Sequence, residues 1–198
     1  MGNATIDASM DSLPLARRAA GDHALMARAG NIRLVCFDVD GTLTDGRLTL
    51  DSDGRETKSF HVHDGQGIVL LRQHGIEVAF ITARNSPVAE RRARELGVRC
   101  HIGVKDKLAC VHALCAELGI DIGLACFMGD DLPDLPAMRA VGLSVAPGNA
   151  HALTAAGAEL LTVAKAGKGA ARELCDLLLA AQGRIDDPLP PTVRGEVS

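Results

Sequence analysis

The sequence predicts an α/β protein, a parallel sheet with helices on both faces and a small β-hairpin attached. Three observations predict it. Short apolar runs such as Ile32–Phe37, Glu77–Ile81 and Leu124–Met128 alternate with segments that have helix signals. The first and last of these runs break into acidic turns, Asp38-Val-Asp40-Gly41 and Gly129-Asp-Asp131. Residues 47–60 have no helical character and read as two short strands around Asp51-Ser-Asp53-Gly54, whose Asp-Gly step favours a tight turn.

The elements follow in order. A polar, Ala-rich leader over residues 1–30 is expected to form one helix from about Leu13 to Ala29. Ile32–Phe37 is a buried strand, and the hairpin of 47–60 comes next. A helix near 66–74 then leads to a strand at Glu77–Ile81. Ser86 as N-cap, Pro87 as the first helical residue and Gly97 as the stop delimit another helix. A short strand near Arg99–Ile102, a helix over Asp106–Leu118 ended by Gly119, a strand at Leu124–Met128, a helix near 132–140 and a strand at Leu143–Val145 continue the alternation. A helix at 169–181 closes it. Residues 31–183 therefore form one βα domain, in which ligands bind at the carboxyl ends of the strands where the strand order reverses. The tail, 184–198, is Pro-rich and polar and is expected to be flexible.

Composition narrows the function. A chain of 198 residues that is 47% hydrophobic suits a single core. A formal net charge of −4, with no run of Lys and Arg, argues against nucleic acid, and the absence of Trp and Tyr argues against a base-stacking surface. The six cysteines contain no C-x-x-C pair and several lie in apolar runs, which suggests buried, reduced thiols. Charges near the N-terminus interrupt any signal peptide, and no segment is long enough to span a bilayer, so a cytoplasmic protein acting on a small partner is expected.

The chemistry gathers at strand ends. Asp38 and Asp40 are two residues apart where the first strand breaks, so both carboxylates can face one pocket, and a hard divalent cation such as Mg²⁺ would relieve their repulsion. Asp130, Asp131 and Asp134 follow a second apolar strand. Convergence of so many carboxylates is unfavourable without a metal. Thr82 closes Ala79-Phe-Ile-Thr82 and offers a hydroxyl; Lys107 opens a predicted helix and offers a cation. Alone, each reads as a turn residue or a solvated side chain. Together they match what phosphoryl transfer needs: a nucleophile, an acid/base, donors for the equatorial oxygens and a metal.

These motifs in this order resemble the haloacid dehalogenase superfamily from about Ile32 to Gln182, with a Rossmann-like sheet. The resemblance is strongest to a capless subgroup that acts on acidic sugar phosphates, carried by Phe37 to Gly46, the hairpin, Phe60-His-Val-His-Asp-Gly65, Gly129 to Asp134 and Cys175-Asp-Leu-Leu-Leu179. No insertion of domain size separates Asp40, Thr82 and Lys107, in keeping with the lack of a large cap. The resemblance implies that Asp38 is the nucleophile and a Mg²⁺ ligand, and that Asp40 is the acid/base and binds the metal through its backbone carbonyl. It makes Asp130 the other carboxylate ligand, with Asp131 and Asp134 orienting from behind. Thr82 and Lys107 would hold the phosphoryl oxygens. Asp40, His61, Val62, His63, Asp64, Gly65, Val69, Arg84, Arg92 and Lys107 would form the substrate surface, the arginines suiting a sugar-acid carboxylate.

The implied substrate is 3-deoxy-D-manno-octulosonate 8-phosphate, in lipopolysaccharide precursor synthesis, with a nine-carbon sialic-type 9-phosphate as the alternative. His63 stands where an arginine is usual, exchanging a fixed charge for one that varies near neutrality. The resemblance also implies a homotetramer in which a neighbour covers each active site. Three other readings fit less well. A receiver-type signalling domain would carry its acidic pair and acceptor Asp after different strands, a dehalogenase needs neither metal nor Asp40, and a non-catalytic scaffold would be expected to lose one of Asp38, Asp40, Lys107 or Asp130.

Overall fold

In the computed structural model, residues 14–185 are described. Six parallel strands, β1 (Leu34–Phe37), β4 (Glu77–Ile81), β5 (Arg99–His101), β6 (Ala125–Met128), β7 (Leu143–Ala146) and β8 (Leu160–Leu161), form one sheet in the order β5-β4-β1-β6-β7-β8. The chain runs outward from β1 through β4 to β5, then crosses to β6 and runs outward the other way. The order therefore reverses around β1, and the carboxyl ends of β1, β4 and β6 lie side by side there. Strands β2 (Thr49–Leu50) and β3 (Glu56–Thr57) pair antiparallel as the separate hairpin.

Strand periodicity divides the core in two. Val35, Phe37, Val78, Phe80, Cys126 and Met128 face one layer, formed by α1 (Pro14–Ala19), α2 (His23–Asn31), α3 (Val62–Gln73), α4 (Pro87–Leu96) and α8 (Ala170–Ala181). Leu34, Cys36, Ala79, Ile81, Ala125 and Phe127 face the other, where α5 (Lys107–Leu118) and α6 (Leu135–Ala140) supply Val111, Leu114, Ala137 and Met138. Both faces of the central strands are buried, which is why they read as continuous apolar runs rather than as alternation. Helix α7 (Ala152–Gly157) links β7 to β8. All six cysteines are free; four of them, Cys36, Cys115, Cys126 and Cys175, are buried. No helix among the described residues is long and apolar enough to cross a membrane.

Three expectations change. The leader makes two helices, not one, because Asp22 accepts a hydrogen bond from the Leu25 backbone N–H at 2.9 Å and so starts a second helix after the break at Gly21. Leu13, where the single helix was expected to begin, lies outside the described residues, as does the tail from residue 186. Helix α3 begins at Val62, four residues before the expected start. Its Gly65 and Gly67 weaken a helix signal, yet here they let neighbours approach: a Cβ on Gly67 would stand 2.9 Å from Cβ of Cys175 on α8. The helix expected near 132–140 begins as a 3₁₀ turn, Leu132–Asp134, with Asp131 and Asp134 forming a reciprocal capping box.

Candidate active site

Four loops meet at the switch point. The backbone N–H of Asp38 bonds the Met128 carbonyl at 2.9 Å, extending the β1–β6 ladder by one step and placing Asp38 beside the loop that carries Asp130. After Asp38 the chain coils tightly: the N–H groups of Leu43 and Thr44 both donate to the Val39 carbonyl at 3.0 Å. Gly41, at φ +98°, makes this turn, and a Cβ there would fall inside the carboxylate of Asp130. The Thr42 hydroxyl donates to Oδ1 of Asp130 at 3.0 Å.

These loops enclose an open cleft of 160 Å³ lined by Asp38, Asp40, Thr82, Ala83, Arg84, Lys107, Asp130, Asp131, Pro133 and Asp134. Lys107, the first residue of α5 after its N-cap Asp106, is buried and reaches across to Oδ1 of Asp38 at 2.6 Å and to Oδ1 of Asp134. The other oxygen of Asp134 accepts from the backbone N–H groups of Asp130 and Asp131 at 3.0 and 3.2 Å. Both oxygens of Asp134 are therefore engaged, and the residue braces the acidic loop against Lys107. Asp131, exposed, caps the 3₁₀ turn.

The electrostatics are those of crowded carboxylates. Burial pushes the Asp38 carboxyl up to about 8; Lys107 opposes this, while Asp134 and Asp130 add to it. Burial and then Asp134 raise Asp130 to about 6, against the hydrogen bond from Thr42. Burial disfavours the Lys107 ammonium, but Asp38 and Asp134 outweigh it and hold its pKa above that of an ordinary lysine. Carboxylate oxygens of Asp38, Asp130 and Asp134 lie within 4.8 Å of one another. An all-oxygen, net-anionic donor set of this kind suits a hard cation such as Mg²⁺, and with Asp134 engaged on both oxygens, Asp38 and Asp130 are the carboxylates left to face it.

The remaining candidates divide between this cleft and the region around the start of α3. Oδ2 of Asp40 accepts from the Thr82 hydroxyl at 3.3 Å, and the Thr82 oxygen accepts from the Arg84 N–H at 3.2 Å. The Arg84 side chain is exposed at the rim. Around the start of α3, Val62 and His63 are exposed and the rings of His61 and His63 meet edge to face at 5.1 Å. Asp64 is buried and turned away from the cleft: its Oδ1 accepts from the Arg172 N–H at 2.8 Å and caps α8, which starts at a glycine with no capping side chain of its own. Burial, opposed by that bond, raises the Asp64 carboxyl.

Gly65 lies against the Arg92 guanidinium, where a Cβ would clash. Arg92 itself lies outside the acidic cleft, in a small apolar pocket with its guanidinium 5.8 Å from the Phe60 ring centre, paired with Glu95 at 2.9 Å. Val69 is half-buried against the core. The structure thus gathers Asp38, Asp40, Thr82, Arg84, Lys107 and Asp130 in one cleft and sets Asp64, Val69 and Arg92 apart from it.

Sequence reasoning missed Lys58. From just beyond β3 it reaches Oδ1 of Asp40 and bonds Oε1 of Glu56 at 2.8 Å, with 1% of its side chain exposed. The only available signal was the Glu56-Thr-Lys58 alternation, which puts both charges on one face of an extended leg.

With this geometry in place, similarity to known proteins is informative. A family model for haloacid dehalogenase-like hydrolases matches residues 65–142. The 3-deoxy-D-manno-octulosonate 8-phosphate phosphatase of Escherichia coli (strain B) is 44% identical over 164 residues, 82% of this chain and 87% of that protein. The solved structure of a hypothetical protein from Xanthomonas campestris is 56% identical, with a TM-score of 0.82 over 83% of this chain and 90% of that one. The 3-deoxy-D-manno-octulosonate 8-phosphate phosphatase from Moraxella catarrhalis, solved with a magnesium ion, a phosphate ion and a KDO molecule, is 41% identical, with a TM-score of 0.81 over 83% and 95% of the two chains.

Proposed function

The chain belongs to the 3-deoxy-D-manno-octulosonate 8-phosphate phosphatases among the haloacid dehalogenase-like hydrolases, and from that footing we propose that it hydrolyses 3-deoxy-D-manno-octulosonate 8-phosphate, with Mg²⁺, for lipopolysaccharide precursor synthesis. The observation that carries this reading is the meeting of Asp38, Lys107 and Asp130 at the carboxyl ends of the central strands, with Asp40 and Thr82 at the same cleft.

In this reading a carboxylate oxygen of Asp38 attacks phosphorus in line with the bond to the sugar oxygen. That bond breaks, and the departing oxygen takes the proton held by Asp40, giving the free sugar acid and a phospho-aspartate. A water then attacks phosphorus, gives its proton to Asp40, and the bond from phosphorus to the Asp38 oxygen breaks to release inorganic phosphate. Lys107 and the Thr82 hydroxyl hold the phosphoryl oxygens, and Lys107 screens the negative charge of Asp38 from that of the substrate. Asp38, Asp130 and the Asp40 carbonyl hold the cation. Mg²⁺ supplies charge that keeps both carboxylates ionised at neutral pH and offsets the negative charge of the phosphoryl group.

In this reading Arg84, exposed at the rim, pairs with the sugar carboxylate, and His61, Val62 and His63, at the start of α3, contact the sugar. Asp64, Gly65 and Val69 of α3, with Arg92 of α4 against Gly65, support this surface by fixing α3 rather than by lining the cleft. Residues 31–183 are the catalytic unit. Four subunits meet through hairpins whose Leu48 and Leu50 are exposed, so that a neighbour covers each cleft. The enzyme works in the cytoplasm, without nucleic acid or membrane.

The test is phosphate release from a panel of sugar phosphates with and without EDTA. Preference for the eight-carbon acid over the nine-carbon one, lost with the metal, is expected; comparable rates on nucleotides would refute the substrate, and EDTA-resistant turnover the metal.

A further inference from the structure

The Lys58 side chain is buried just beyond a hairpin whose tip and outer face meet solvent. Its neighbours Leu48 and Leu50 are more than half exposed, whereas the Lys58 side chain is 1% exposed. A buried ammonium is unfavourable unless carboxylates surround it. Here two do, and they differ in kind: Glu56 belongs to the hairpin, and Asp40 belongs to the loop after β1. Glu56 also accepts from the rim guanidinium of Arg84 at 3.4 Å. A chain of charges thus runs from Arg84 through Glu56 and Lys58 to Asp40, and Lys58 joins the hairpin to the loop after β1.

The contact selects between the two oxygens of Asp40. A lysine ammonium has three donors and no acceptor, so Oδ1, which faces it, acts only as an acceptor. Any proton that Asp40 carries sits on Oδ2, which points toward Thr82 and the cleft. The Thr82 bond to Oδ2, at 3.3 Å, is long and leaves that oxygen free to exchange partners, while the charge-assisted contact at Oδ1 anchors the carboxyl plane.

We propose that Lys58 is a positioning residue for the reaction, delivered by the hairpin to hold the Asp40 carboxyl with its proton-bearing oxygen toward the leaving group. The proposal rests on the acid/base reading of Asp40. It gives the hairpin a task within its own subunit: its docking orients the group that protonates the departing sugar.

The test is single-turnover release of the alcohol by Lys58→Met and Lys58→Arg, using the sugar phosphate and p-nitrophenyl phosphate. The nitrophenolate leaves with little need for a proton, so a misplaced acid harms only the sugar substrate. Lys58→Met is expected to slow sugar release about 10- to 100-fold while changing nitrophenol release less than about 3-fold, with Lys58→Arg recovering most of the loss. Equal slowing of both substrates, or of neither, overturns the proposal.

Asp40→Asn is the control. If it shows the same split while Lys58→Met does not, the positioning role falls and the acid/base reading stands. If Asp40→Asn slows neither release, both fall.

Discussion

The pH dependence of stability in the metal-free protein follows from the buried carboxylates. Asp38 is raised from 3.8 to about 8 by burial, with Lys107 opposing, so between those values the folded state holds a proton that the unfolded chain has lost. The sign is fixed by proton counting. Stability falls as pH rises through this window, by about 1.4 kcal/mol per pH unit for one such group. From pH 6 to 7.5 Asp38 alone should remove about 2 kcal/mol, while Asp130, raised to about 6 and so already half ionised where the range begins, adds only about 0.4 kcal/mol. For a chain of this length that lowers Tm by roughly 4–8 °C.

The perturbation is Asp38→Asn, which keeps the side-chain shape and removes the titration. The assay is thermal unfolding in EDTA at pH 6.0 and 7.5, with and without added Mg²⁺. Wild type should lose about 4–8 °C more than Asp38→Asn across this range, and magnesium should restore most of the difference to wild type only, because it stabilises the ionised form. Parallel melting of the two proteins with pH would refute the reasoning, since it would mean that Asp38 is already ionised against Lys107 in the absence of metal.

Two further expectations come from the packing. Gly41→Ala places a Cβ against the Asp130 carboxylate at a φ of +98°, so it should cost about 1–3 kcal/mol and weaken Mg²⁺ binding measured by calorimetry; unchanged metal affinity would show that the loop yields without moving Asp130. Asp64→Ala removes the cap that Asp64 lends to α8, and a loss of about 1 kcal/mol is expected in denaturant unfolding. An unaltered midpoint would mean that water satisfies the Arg172 N–H equally well.

Much of the fold was legible because its signals are local. Helix α4 begins and ends at the residues that Ser86, Pro87 and Gly97 indicate, since capping bonds and a left-handed glycine act within one turn. The central strands were legible because burial on both faces makes them unbroken apolar runs. Helix α3 was legible except for its first turn, because Gly65 and Gly67 weaken it locally and only tertiary packing, Gly65 against Arg92 of α4 and Gly67 against Cys175 of α8, explains them. The leader was misjudged as one helix although the Gly21-Asp22 step that divides it lies in plain view.

The sequence by itself determined which chemical groups stand at the strand ends: a parallel sheet brings successive carboxyl ends to one edge, so Asp38, Thr82 and Asp130 converge whatever the details of the loops. Only the tertiary structure decided their partners. It sent both oxygens of Asp134 to Lys107 and to backbone N–H groups, turned Asp64 inward to cap α8, moved Arg92 into a separate pocket, and brought Lys58 from the hairpin to Asp40. The physical reason is range. Capping and periodicity act over a few residues, whereas a buried charge must be matched by whatever group the fold carries to it, at separations that reach 108 residues between Asp64 and Arg172.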